Sequence, residues 1–459
     1  MFLVSGLISL TLAGCATYHA RPLKPAAFQS RFHARSLTNP QLKAFIARQP
    51  IKLQPGFPHV QTLSTLVAAA WYYSPALRVQ LAQLALDNAN MISAGQSPNP
   101  TVALSPTYAA KAGPGISPWI LGFNFNIPIE TAGRRQDRMA QAAALTRAGR
   151  FDLGEAAWNV RQRVRLTLID YLFARRRVAL LRQQVRNTSM IQSLIKARFQ
   201  AGDISRPVYI AAEIQARQAA LALVAAQGQV RQRRIALAAA LSMPLRALAG
   251  VHISHAQLMH TPPAQSLNIK RLSRAALLNR MDIQSLLAQY QAAEAELKLQ
   301  IARQYPDIQL GPGYSFNQGA NDFTLGFTMA LPVFNQNQGA IAAANAHRLI
   351  IAAELMRKQT AVITRIRSAL SQYRSALRQW HTANAIEIQA RTQLRATRRG
   401  FQAGAQSRLA LSESQLALNT FAQAALRARR SAVLALGNLE SLLEKPLGHT
   451  PAMPKGTRP

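Results

Sequence analysis

The tetrapeptide Phe199-Gln200-Ala201-Gly202 is written a second time at Phe401-Gln402-Ala403-Gly404. Basic residues stand just upstream of each copy, Arg198 in the first and Arg398 and Arg399 in the second, and a serine follows three residues past each glycine, Ser205 and Ser407. Glycine at the end of a helical stretch suits the left-handed position that stops a helix. Serine is a favoured N-cap for the helix that follows, and Pro207 fits a first helical turn. Each copy therefore reads as the turn of a helical hairpin, and the question is whether its surroundings repeat as well.

They do. Upstream of the first copy, apolar residues at Val160, Val164, Leu168, Tyr171, Val178, Leu181 and Val185 keep a helical stripe from about Arg134 to Gln200. At 1.5 Å per residue that is a helix on the order of 100 Å long. Arg161, Arg165, Arg175 and Arg182 fall off the stripe and read as a solvated face. Downstream, a return helix runs to about Ala240 and stops at Ser242-Met243-Pro244-Leu245. Before the long helix, a stretch opening at Thr62 carries Leu77, Leu81, Leu84 and Met91 as a coiled-coil-like stripe and ends at Ser97-Pro98-Asn99-Pro100. There the period changes to two. Thr101 to Tyr108 and Ile120 to Ile127 are expected strands, the second alternating Leu121, Phe123, Phe125 and Ile127 with Gly122, Asn124 and Asn126.

The second half repeats this order. A break at Tyr305-Pro306-Asp307 precedes expected strands at Ile308 to Phe316 and Phe323 to Leu331, a long helix from about Gly339 to Gln402, and a return helix closing at Glu444-Lys445-Pro446-Leu447. Leu121 and Leu325 are 204 residues apart, Gly202 and Gly404 are 202 apart, and so are Pro244 and Pro446. A constant offset with matching punctuation is an internal duplication. The expected units are 61–250 and 271–447, joined by 251–270, with 15–60 as an N-terminal linker and 448–459 as a tail.

Composition agrees with long, closely packed helices. The 459 residues are 49% hydrophobic but only 7% aromatic, and much of the apolar content is alanine. With 54 basic and 18 acidic residues the net charge is +36. Such a surplus suits contact with nucleic acid or anionic lipid, or work in an acidic compartment. Since the arginines are dispersed along helices, a soluble coiled-coil protein binding nucleic acid is the weaker reading, and the period-two segments speak against it. The single cysteine, Cys15, ends the apolar run Met1 to Leu12 after Ala13-Gly14, as at a lipoprotein cleavage site, although no Lys or Arg precedes the run. This predicts a signal peptide at 1–14 and a lipid-bearing Cys15.

Four strands of about nine residues have the length that crosses an outer membrane when tilted, but four cannot close a barrel, and three chains would supply twelve. The fold class expected is mostly α with a small β part: a tandem-duplicated, long-helix protomer giving four strands to a trimeric 12-stranded barrel. At this point the chain resembles the TolC-like outer-membrane efflux proteins from Thr62 to Leu447. The resemblance rests on the duplication, on the paired Phe-x-x-Gly-x-x-Ser tips, and on two segments after the strand pairs. These are Ile127-Pro128-Ile129-Glu130-Thr131-Ala132-Gly133-Arg134-Arg135 and Leu331-Pro332-Val333-Phe334-Asn335-Gln336-Asn337-Gln338-Gly339.

The resemblance implies a homotrimeric outer-membrane exit duct, touching lipid, that receives cargo from an inner-membrane transporter, proton-driven and of the RND type, through a periplasmic adaptor. It implies a lipidated Cys15, and Ala16 is compatible with sorting to the outer membrane. It makes Phe199, Gly202, Ser205, Phe401, Gly404 and Ser407 the periplasmic mouth that meets the adaptor. Family mouths often carry an acidic ring after the second tip. Here Ala410 takes one such place, Glu413 is the remaining candidate, and Arg408 would oppose cations. The wording at 332–339 and Glu130 resemble the heavy-metal branch, with organic compounds as the alternative cargo. No catalytic residue and no cofactor are expected: the chain has no GxxxxGK loop and no His-Glu-x-x-His pair. His252, His255 and His260, in the proline-bearing joint, read as a solvated linker rather than a metal site.

Overall fold

A computed structural model of the chain describes residues 16–51, 56–111, 113–254 and 257–447. The expected signal peptide, Cys15 and the tail fall outside the described residues. The order is α1 (Pro25–His33), α2 (Pro40–Ala47), β1 (Val60–Gln61), α3 (Leu63–Tyr73), α4 (Pro75–Ala94), β2 (Thr101–Tyr108), β3 (Trp119–Ile129), α5 (Arg134–Gln200) and α6 (Arg206–Ala240). Then come β4 (His252–Ile253), α7 (Ile269–Asn279), α8 (Met281–Ala302), β5 (Ile308–Asn317), β6 (Ala320–Met329), α9 (Gln338–Gln402) and α10 (Arg408–Leu443). The two long helices, of 67 and 65 residues, reach about 100 Å each.

The duplication extends to the backbone. Left-handed residues stand at Gly133 and Asn337 before the long helices, at Gly202 and Gly404 in the tips, and at Ser242 and Glu444 after the return helices. The helix expected from Thr62 is interrupted: Ser74 is extended, and its hydroxyl accepts from the Leu77 N–H (3.3 Å) to cap α4. Within the α4 stripe only Leu77 is buried; Leu81 is exposed in the single chain.

The four longer strands form one antiparallel sheet in the order β2-β3-β5-β6. Register sorts its two faces. Leu104, Phe123, Tyr314 and Phe323 line up across the sheet, as do Ile127, Leu310 and Phe327. The opposite face carries Ser105, Gly122, Ser315 and Asp322 in one row and Ala103, Asn124, Gly313 and Thr324 in another. The second row is tight, because a Cβ on Gly313 would come within 2.7 Å of both Asn124 Oδ1 and Thr324 Oγ1. The sheet is tied to the helices at its end. Arg134, at the start of α5, bonds Asp307 (2.7 Å) and the Tyr305 carbonyl, while the Thr131 hydroxyl donates to the Pro306 carbonyl (2.7 Å).

The two larger hydrophobic cores lie where the hairpins meet the shorter helices. One gathers Leu66, Val164, Leu168, Leu237 and Val433; the other gathers Ile283, Ile366, Tyr373, Leu436 and Leu439. The segment expected as a linker contributes to the first. Asn39 caps α2 through the Gln41 N–H (2.8 Å), and Leu42 and Ile46 are fully buried. Leu42 and Ile46 are four residues apart on the side of α2 that packs on α3, so this stretch is part of the body. The joint is not a solvated linker either. β4 pairs in parallel with β1, and Leu258 and Leu267 are buried, one in each core. His252 and His260 are exposed, and His255 falls outside the described residues.

The seam between the halves holds a charge cluster that sequence reading did not single out. Arg280 grips Asp282 with two nitrogens (2.9 and 2.6 Å) and reaches Glu444 at 3.5 Å; Lys358 adds a bond to Asp282 (2.7 Å). Carboxylate oxygens of Glu155, Asp282 and Glu444 come within 4.8 Å of one another. Arg280 and Lys358 tie α8, α9 and the end of α10 together through Asp282 and Glu444, and Glu155 of α5 lies beside them. Burial would raise Asp282, but hydrogen bonds from Arg280 and Lys358 outweigh it and hold its carboxyl below the ordinary range.

Burial pushes Glu444 up to about 7, although its carboxylate accepts the Met281 N–H (2.7 Å). The unfolded chain releases this proton near pH 4.3, while the folded chain keeps it until about 7. The Glu444 contribution is therefore greatest in acid and declines as pH rises across that interval, by up to about 1.4 kcal/mol per pH unit. Glu444→Gln should flatten the decline and leave the protein more stable than wild type at pH 8, as thermal unfolding at pH 5, 6, 7 and 8 will read. Parallel pH profiles for the two proteins would contradict it.

Candidate functional site

The two tips are built alike. In the first, the Ala201 N–H donates to the Ala197 carbonyl (3.1 Å), Gly202 to Phe199 (3.1 Å) and Asp203 to Arg198 (2.9 Å). In the second, Ala403 donates to Arg399 (3.0 Å), Gly404 to Phe401 (3.1 Å) and Ala405 to Gly400 (2.8 Å). Every bond has its counterpart 202 residues later. The pattern needs a left-handed residue after the helix, and glycine supplies it with φ of 80° and 75°. A Cβ at either glycine would meet nothing within 4 Å, so the turns project into open space.

The serines occupy equivalent extended cap positions but do unequal work. Ser407 accepts from the Ala410 N–H (3.1 Å), whereas the Ser205 side chain makes no cap bond. The first tip is braced instead by Phe199 stacked on Tyr209, with centroids 5.3 Å apart and planes at 9°. Position 411, the counterpart of Tyr209, is leucine, so that brace is absent from the second tip. Arg408 opens α10 and Glu413 follows on its second turn; both are exposed, and among the described residues neither has an ion-pair partner.

Side-chain contacts along antiparallel α5 and α10 put both tips at the same end. Arg165 meets Glu440 (3.2 Å), Asp170 meets Arg430 (2.6 Å) and the Leu180 carbonyl accepts from Asn419 (2.9 Å). Continuing in step carries residue 202 past the start of α10 at Arg408, so the turns at 202 and 404 share that end. The sheet joins the other ends of α5 and α9, so tips and sheet lie about 100 Å apart.

The apolar face of the sheet is uncovered. Phe323, Leu325 and Phe327 are 83%, 75% and 76% exposed, and Leu104, Leu121, Phe123 and Phe125 are exposed beside them. A contiguous band of this kind marks a surface made for lipid or another chain. Among the described residues, no helix is long and apolar enough to cross a membrane.

Two arginines expected on a solvated face are buried. Arg161 and Arg165 lie against α10, because α5 is enclosed at this level by helices on several sides and more than one stripe faces inward. Gly437 opens the notch that Arg165 fills: a Cβ there would run into its guanidinium. An Arg-x-x-x-Arg pair flanking Val164 in a stretch of stripe residues was the available signal. The segments that resemble the heavy-metal branch have structural work. Glu130 is paired with Arg138, the Asn337 N–H donates to Asn335 Oδ1 (2.9 Å), and the Asn337 amide donates to the Gln300 carbonyl (2.7 Å).

Comparison with solved structures shows the same fold in several membrane proteins. A membrane protein from Pseudomonas aeruginosa matches with a TM-score of 0.66 at 19% identity, over 86% of this chain and 99% of its own. The Campylobacter jejuni CmeC outer membrane channel matches with 0.66 at 15% identity, over 85% and 87%. The outer membrane protein VceC from Vibrio cholerae matches with 0.65 at 18% identity, over 83% and 96%. No curated protein matches the sequence. The family model for outer membrane efflux proteins matches twice, at residues 66–242 and 272–444, once in each repeat. On that double match, covering well over half of its length, the chain belongs to the outer membrane efflux protein family and is a passive channel component rather than an enzyme.

Proposed function

We propose that three copies of this chain form the exit duct of a tripartite pump, with the sheets closed into a 12-stranded barrel in the outer membrane and the helices continued as a periplasmic tube. The observation that carries this is the sheet: its apolar face is uncovered, and among the described residues its edge strands β2 and β6 have no outer partner. Closure by copies removes both edges and turns the apolar face to lipid. The six tips of such a trimer form the periplasmic mouth, where exposed turns dock a periplasmic adaptor that links the duct to a proton-driven RND-type transporter. Lipidation at Cys15 adds an anchor. The +36 charge and the acid-favoured state of Glu444 support work in an acidic periplasm.

For cargo, the wording at 332–339 and Glu130 favours heavy-metal cations. The exposed Arg408 and the structural employment of those same residues favour organic compounds. Deletion followed by exposure to cobalt, zinc, cadmium and a drug panel separates the two, and unchanged sensitivity to all of them would count against an export role. Glu413 tests the mouth. If it lines a cation constriction, Glu413→Ala will change single-channel conductance and weaken block by divalent cations in planar bilayers. Unchanged traces would remove Glu413 from the mouth.

A further inference from the structure

Four residues of α5, Trp158, Arg161, Gln162 and Arg165, follow one another at helical spacing on the face turned to α10. None is more than 5% exposed within a single chain, so their burial does not depend on assembly. Donors are in excess among them. Trp158 Nε1, both terminal nitrogens of Arg161, Gln162 Nε2 and Arg165 Nη1 are buried without a hydrogen-bond acceptor, against two buried acceptors without a donor, Gln162 Oε1 and Glu440 Oε2. The opposing acid is Glu440, which is 2% exposed. It faces Arg165 Nε at 3.2 Å, and its other oxygen accepts the Leu447 N–H (2.9 Å).

The Arg161 guanidinium lies 4.6 Å from the Trp158 ring centre, a cation–π contact that leaves its N–H groups unmatched. Burial lowers Arg161 to about 10, so it is still charged at neutral pH. The next acids along the seam, Glu155, Asp282 and Glu444, are grouped around Arg280 and Lys358. Tyr373, which also faces Glu440, donates its hydroxyl to the Pro262 carbonyl (2.5 Å). Two buried guanidinium groups thus share one carboxylate. A buried charge without a counter-charge is strongly unfavourable, and a water molecule can accept hydrogen bonds without supplying the missing charge.

We propose that this site binds a small monovalent anion of chloride or nitrate size between Arg161, Arg165, Trp158 and Gln162, as a structural ligand at the level of the two cores. The anion accepts from the orphaned donors and neutralises the second guanidinium. Enclosure by protein on all sides favours a compact ion over phosphate or a carboxylate.

The purified full-length protein is unfolded thermally at fixed ionic strength while chloride is replaced stepwise by gluconate. The expected result is a saturable stabilisation by chloride and by bromide that is lost in Arg161→Met, a substitution that keeps the length and apolar stem of the side chain. An equal response in wild type and Arg161→Met would overturn the proposal, since a general salt effect on a basic protein survives the substitution. Should Arg161→Met not fold, crystals of the wild type grown in bromide decide. An anomalous peak within hydrogen-bond reach of the Arg161 guanidinium supports the site, and ordered water alone at that position overturns it.

Discussion

Gly404→Pro should abolish export while leaving the protein in the outer membrane. Proline holds φ near −65°, whereas Gly404 sits at 75°, and proline also lacks the N–H that Gly404 donates to the Phe401 carbonyl (3.1 Å). The helix stop cannot survive, so the second tip must rebuild. About 100 Å away the sheet is untouched. Gly404→Ala is the matched control: its Cβ meets no atom within 4 Å, and the left-handed backbone costs about 1–2 kcal/mol. Gly202→Pro and Gly202→Ala should behave as the same pair. Sensitivity to cargo, membrane fractionation and cross-linking to the adaptor read the three consequences separately. A proline variant that exports normally would remove the tips from the docking surface.

Glu440→Ala should be the most damaging single change in the helical body. Glu440 is the carboxylate facing Arg165, and its charge also bears on Arg161. Removing it leaves two guanidinium groups in the interior and takes away the acceptor of the Leu447 N–H. Breaking a buried pair in this way costs about 3–5 kcal/mol. Gly437→Ala should approach the same defect from the other side by displacing Arg165. The exposed Glu413→Ala provides the contrast, with a change within about 0.5 kcal/mol. Denaturant unfolding of the three variants tests the ordering, and a Glu440→Ala protein as stable as wild type would contradict it.

Much of this architecture was legible because it rests on local chemistry written twice. Phe199 to Gly202 and Phe401 to Gly404 announce helix stops through glycine, and period-two alternation from Leu121 to Ile127 announces a sheet face. What escaped depends on what packs where. Arg161 and Arg165 look like a solvated edge until α10 is placed against α5 with Gly437 beneath them. Leu42 and Ile46 look like stray apolar residues until the surface of α3 is there to receive them. Glu155, Asp282 and Glu444 are far apart in sequence, and only the meeting of the two repeats brings them to one seam. The helix turns fall at the repeated glycines, but the unequal capping by Ser205 and Ser407 is not written in the sequence, since both serines share the same backbone conformation.

The central claim is closure by three copies, and a single-particle reconstruction of the purified protein in a lipid nanodisc tests it most directly. The account predicts threefold symmetry, one closed sheet of twelve strands in which β6 of each chain pairs with β2 of the next, and six tips ringing the opposite end. Protomers whose β2 and β6 edges stay unpaired, or a ring of a different number, would contradict it.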